Sequence, residues 1–81
     1  MKRKADYILD FRGTISPISL LKMCQTFREM QSNEILEILG SDADTRTDVF
    51  KVLPADSYDV IFMDVVEEAD YFYCIQLKKK S

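Results

Sequence analysis

Apolar and polar positions along the chain alternate between strand-like and helix-like periods. Tyr7 to Phe11 is short, β-rich and stopped by Arg12-Gly13, which predicts a strand over residues 5–10. Ser16-Pro17 is a helix-start signal: the serine caps free amides, and proline at the first helical position gives up an N–H that would be unpaired anyway. Leu20, Met23, Cys24, Phe27 and Met30 then recur at three/four spacing and predict a helix to about Met30, ended by Ser32-Asn33. Lys22, Gln25, Arg28 and Glu29 fall elsewhere on the wheel. Ile35 to Leu39 reads as a second strand closed by Gly40, and Ser41 to Asp44 as a loop. Thr45 followed by Asp48 resembles a capping box and predicts a second helix to about Leu53, with Val49, Val52 and Leu53 inward and Pro54 ending it. Asp56-Ser57 turns the chain. Val60 to Val66 is a third strand, apolar on both alternating sets: Val60, Phe62 and Val66 against Ile61, Met63 and Val65. After a polar turn at residues 67–70, Tyr71 to Leu77 is a fourth, aromatic-rich strand.

The order β-α-β-α-β-β predicts right-handed crossovers between parallel strands and an antiparallel final hairpin. The fold class expected is therefore α+β: a two-layer sandwich with two helices on one face of a four-stranded mixed sheet. No linker or repeat divides the chain, so residues 1–81 are expected to form a single domain, with residues 1–4 and 78–81 as solvated basic tails. Those two tails would lie together at one end of the sheet and the Ser16 loop at the other. The apolar residues left on the uncovered face suggest a partner contact or a homodimer there.

Length narrows the options further. At 81 residues the chain is too short for a multi-domain enzyme or a full barrel, and at 47% apolar it is too apolar for a disordered tail. The net charge of −3 argues against a nucleic-acid module, although a basic-patch RNA- or protein-binding role for the terminal lysines is an alternative. Two cysteines without a signal peptide, and no apolar run long enough for a membrane helix, predict a reduced cytoplasmic protein. With no histidine, triad hydrolysis and most zinc and haem sites are excluded. Asp10, Asp42, Asp44 and Asp48 lack the spacing of a Ca²⁺ loop, and no metal or cofactor is expected.

The stretch Leu9-Asp10-Phe11-Arg12-Gly13-Thr14-Ile15-Ser16-Pro17-Ile18 resembles the signature of the TusA/SirA-type sulfur-carrier family: an Asp-x-(Arg/Leu)-Gly turn, Cys-Pro-x-Pro, then a helix. Asn33 to Ile38 is similar to that family's Gly-Glu-x-Leu-x-Val, Ser41-Asp42-Ala43 with Asp48-Val49 to its Thr-Asp-Pro…Asp-Ile, and Tyr71 to Lys78 to its last strand. The resemblance spans nearly the whole chain. It implies strand order 1-2-4-3, sulfurtransferase activity, and docking on sulfur-relay proteins such as a cysteine desulfurase through the surface around the motif loop. Asp10, Arg12, Gly13, Ser16 and Pro17 would shape that surface.

The resemblance also puts Ser16 where the persulfide cysteine stands, and Ser19 where the second proline stands. Persulfide chemistry needs a thiolate, which a helix N-terminus stabilises. A hydroxyl has no accessible anion near neutral pH and cannot hold sulfane sulfur. Catalysis at Ser16 is therefore not expected, and the chain reads as a non-catalytic, partner-binding or regulatory relative. The enzymatic alternative is a carrier working through Cys24 or Cys74. Cys24 lies in the apolar stripe of the first helix and is expected to be buried. Cys74 is expected on the uncovered sheet face and accessible, with Tyr73 and Ile75 inward by analogy with the family.

Overall fold

A computed structural model of the chain describes residues 3–12, 18–41, 43–67 and 71–80. Its elements are β1 (Tyr7–Asp10), α1 (Ile18–Glu29), β2 (Ile35–Gly40), α2 (Ala43–Val52), a 3₁₀ turn (Ala55–Ser57), β3 (Tyr58–Glu67) and β4 (Tyr71–Lys79). The sheet order is β1-β2-β4-β3, with β1 parallel to β2 and β4 antiparallel to both of its neighbours. This is the expected α+β sandwich. No helix among the described residues is long and apolar enough to cross a membrane.

The core lies between the helices and one sheet face. Met23, Phe27 and Met30 of α1 and its end, and Val49 and Leu53 at α2, pack with Leu36, Ile38, Tyr73, Ile75 and Leu77. Burying each such side chain contributes roughly 1.5–3 kcal/mol. Tyr73 and Ile75 point inward as expected, and Leu36–Leu77 and Ile38–Ile75 are cross-strand pairs. Gly40 pairs with Tyr73, and a Cβ at position 40 would run into the Tyr73 ring, so the strand needs glycine there.

Several boundaries differ from the sequence reading. β1 starts at Tyr7 rather than residue 5, because the chain before Asp6 leaves the strand line and crosses the sheet's second face. α2 starts at Ala43, so Thr45 lies inside the helix and is not its cap. Val52, expected inward, is 42% exposed. A bulge between Val60 and Phe62 resets the alternation of β3. Val60, Met63 and Val65 are thereby paired with the inward Leu77, Ile75 and Tyr73, and Phe62 with Gln76 on the second face.

The residues expected as a basic C-terminal tail are largely structural. Lys78 and Lys79 belong to β4, and the Lys80 N–H donates to Ser57 O at 2.9 Å. The Lys79 ammonium donates to Phe27 O at 2.8 Å and Met30 O at 2.7 Å, closing the carbonyl end of α1, and lies 5.0 Å from the Phe27 ring centre. Beyond it, Asn33 turns the chain at φ 72°, a conformation asparagine tolerates. The N-terminal segment and the end of β4 do share one end of the sheet, as expected.

Candidate functional site

The motif segment begins where β1 ends. Strand alternation puts Asp10 on the face away from the helices, half-exposed, with Arg12 two residues on. The Arg12 guanidinium donates from Nε to Asp10 Oδ1 at 2.9 Å and from Nη2 to Oδ2 at 2.7 Å. The Arg12 backbone N–H adds a third bond to Oδ1 at 3.0 Å. These bonds, the side-chain ones first, hold the Asp10 carboxyl at about 2, below its ordinary 3.8, and raise the Arg12 pKa in turn. Arg12 also lies over the Phe72 ring at 5.7 Å, linking the end of β1 to the start of β4 across β2. The turn is thus fixed by its own side chains. Gly13, Ser16 and Pro17 lie outside the described residues, as do Asp42 and the turn at residues 68–70.

The chain re-enters at Ile18, the first residue of α1. Ile18 and Leu21 are 67% and 64% exposed, large side chains that the core does not use. They lie off the Leu20–Met23–Phe27 stripe and, with Cys24, form a second apolar row at three-residue spacing. Across from them stands Val52 of α2. A hollow of about 420 Å³ is lined by Ile18, Leu20, Leu21, Cys24 and Val52. A second, of about 300 Å³, continues past Cys24 and Val52 toward Arg28 and Lys79. Together they form one apolar groove between the helices, starting at Ile18 and ending at basic side chains.

Cys24 is half-buried and lines both hollows, so it is not the fully buried stripe residue expected. Cys74 lies on the second sheet face as expected but is only 6% exposed, which corrects the expectation that it is accessible. Neither cysteine is in a disulfide, and the sheet separates them. Among the described residues no three His, Cys, Asp or Glu side chains gather as metal ligands. The expectation that Val52 points inward hides the groove in the sequence. The signal available is the Ile18–Leu21–Cys24 row, apolar although its first two members fall outside the core stripe.

A model of the family described as sulfurtransferase TusA matches residues 7–79. A protein of Archaeoglobus fulgidus named as a candidate sulfur carrier is 26% identical over 73 residues, covering 90% of this chain and 97% of its own length. The crystal structure of a SirA-like protein from Desulfitobacterium hafniense superimposes with a TM-score of 0.70 at 13% identity, covering 93% of this chain and 99% of that one. A Helicobacter pylori protein solved in solution gives 0.64 at 16% identity, covering 91% and 97%. At such identities the two structures speak for the fold alone.

Proposed function

The chain belongs to the TusA family of sulfur carriers, and within it we propose a member that docks on sulfur-relay partners in the cytoplasm without carrying sulfur itself. The observation behind this reading is Ser16, which the sequence resemblance puts in the place of the persulfide cysteine. An alcohol at a helix entrance caps amides well but offers no thiolate to accept sulfane sulfur. Proteins of this family act with protein partners in sulfur relay. A cysteine desulfurase is the partner proposed here.

The docking surface proposed is the Asp10–Arg12 turn, with Gly13, Ser16 and Pro17 next in sequence, and the groove that begins at Ile18. Ile18, Leu21 and Val52 are large, exposed and contiguous. Burying what remains exposed contributes about 1–2 kcal/mol for Ile18 and Leu21 and about half of that for Val52. Arg28, on the groove wall, suits an acidic group on that partner.

Calorimetry with a cysteine desulfurase tests this reading. Binding is expected, weakened at least about tenfold by Leu21→Glu, since an unpaired charge in an apolar contact is costly. Absence of binding by the wild-type chain would contradict it. One observation favours a second reading: Cys24 opens onto the groove and could accept sulfur there. Mass spectrometry after exposure to a working desulfurase separates the two.

A further inference from the structure

The sheet face away from the helices holds two buried polar side chains, Gln76 at 0% exposure and Glu37 at 5%. They are cross-strand neighbours, and the Gln76 amide donates to Glu37 Oε1 at 2.9 Å. The rest of that amide is spent on one residue's backbone. Gln76 Oε1 accepts the Arg3 N–H at 2.9 Å, and Gln76 Nε2 donates to Arg3 O at 2.6 Å. A primary amide facing a peptide unit in this way pairs with any extended backbone and ignores its side chain.

The segment it holds is short and basic. At Asp6 the chain is still tied to β2, through Asp6 N–H to Ile35 O at 2.9 Å and Ile35 N–H to Asp6 Oδ2 at 2.8 Å. Three residues earlier it lies on β4, so residues 3–6 cross over β2. Arg3 and Lys4 remain exposed. The face beneath carries carboxylates at Glu37, Asp59 and Asp64, the last two exposed; Asp59 is paired with the Lys80 ammonium at 3.4 Å and stands opposite Lys78, which leaves Glu37 and Asp64 to face the strap. Ile8, 61% exposed, and the half-buried Phe62 and Phe72 extend the face beyond the strap.

We infer that this face is a binding site for an extended, basic polypeptide segment, and that the chain's own Arg3–Lys4 strap is its resident, displaceable occupant. The buried Gln76 supplies the backbone-reading contact, the carboxylates of Glu37 and Asp64 select for positive charge, and the strap keeps the site filled until a competing segment displaces it. The inference concerns the face opposite the helical groove and does not depend on sulfur-relay docking.

Nuclear magnetic resonance on the 81-residue chain tests it, with a synthetic peptide of residues 1–6 as the competing segment. In the wild-type chain the Arg3 amide, which Gln76 accepts, is expected to exchange more slowly than that of Lys4. Arg3→Pro removes the N–H that Gln76 accepts and so frees the site. Peptide binding, read from the backbone amides of residues 37 and 76, is then expected to tighten about tenfold over wild type and to weaken with added salt. Gln76→Leu, which keeps the buried volume, is expected to lose the response, with unchanged amide protection at Ile38 and Ile75 showing that the fold persists. Any of three results would overturn the inference: an Arg3 amide exchanging as fast as Lys4, an Arg3→Pro chain that ignores the peptide, or equal binding of a peptide with glutamates in place of its lysines and arginine.

Discussion

The Arg12 guanidinium folds back over two residues to grip the Asp10 carboxylate at both oxygens, 2.9 and 2.7 Å away. The folded-state pKa of Asp10, about 2, lies below its ordinary 3.8. The pair therefore stabilises the fold at pH above 3.8, and the contribution fades as pH falls toward 2. Both groups are half-exposed, so solvent screening keeps the effect small. A carboxyl-carbon titration is expected to place Asp10 near 2 in the wild-type chain. In Arg12→Gln the value should rise, but only part of the way, because the backbone N–H of residue 12 still donates to Oδ1.

Gly40→Ala adds a methyl where the Tyr73 ring already lies. Either the ring or the β2–β4 ladder must give way. Overpacking of this kind costs about 1–3 kcal/mol, measurable as a lower midpoint in chemical denaturation with an unchanged slope.

Lys79→Met keeps the aliphatic stem and removes the ammonium that serves the Phe27 and Met30 carbonyls. Leaving the end of α1 without this charged donor is expected to cost roughly 1–3 kcal/mol. Hydrogen exchange should show the loss first at the end of α1, with β2 and β4 amides keeping their relative protection.

Substitutions along the groove should behave in the opposite way. Leu21→Glu alters an exposed side chain, so unfolding stability should stay within about 0.5 kcal/mol of wild type while desulfurase binding falls. A large loss of stability would instead assign Leu21 to the core.

Much of this architecture is legible in the residues. The stripe from Leu20 to Met30, the Gly40 and Pro54 stops and the short link between the last two strands fix the element order, and the motif resemblance supplies the order of strands. Features decided by tertiary contacts were not legible. No local pattern announces that Gln76 will clamp the backbone of Arg3, 73 positions away in sequence, or that this burial replaces an open face. The β3 bulge is equally silent, because a strand apolar on both sides gives no phase against which a slip would show. Thr45 and Asp48 offered a cap, but the chain begins the helix a little earlier, at Ala43, a better helix former. Val52 lies three residues after Val49, turned about 60° from it round α2, which brings it to the rim of the core where it lines the groove.

The central claim is that this family member does not carry sulfur, and intact-mass spectrometry after incubation with a cysteine desulfurase and cysteine tests it most directly. The wild-type chain is expected to keep its mass, while Ser16→Cys, which restores the thiol of the family motif, should gain one sulfur atom at position 16. A stable extra sulfur on Cys24 or Cys74 of the wild-type chain would contradict the account.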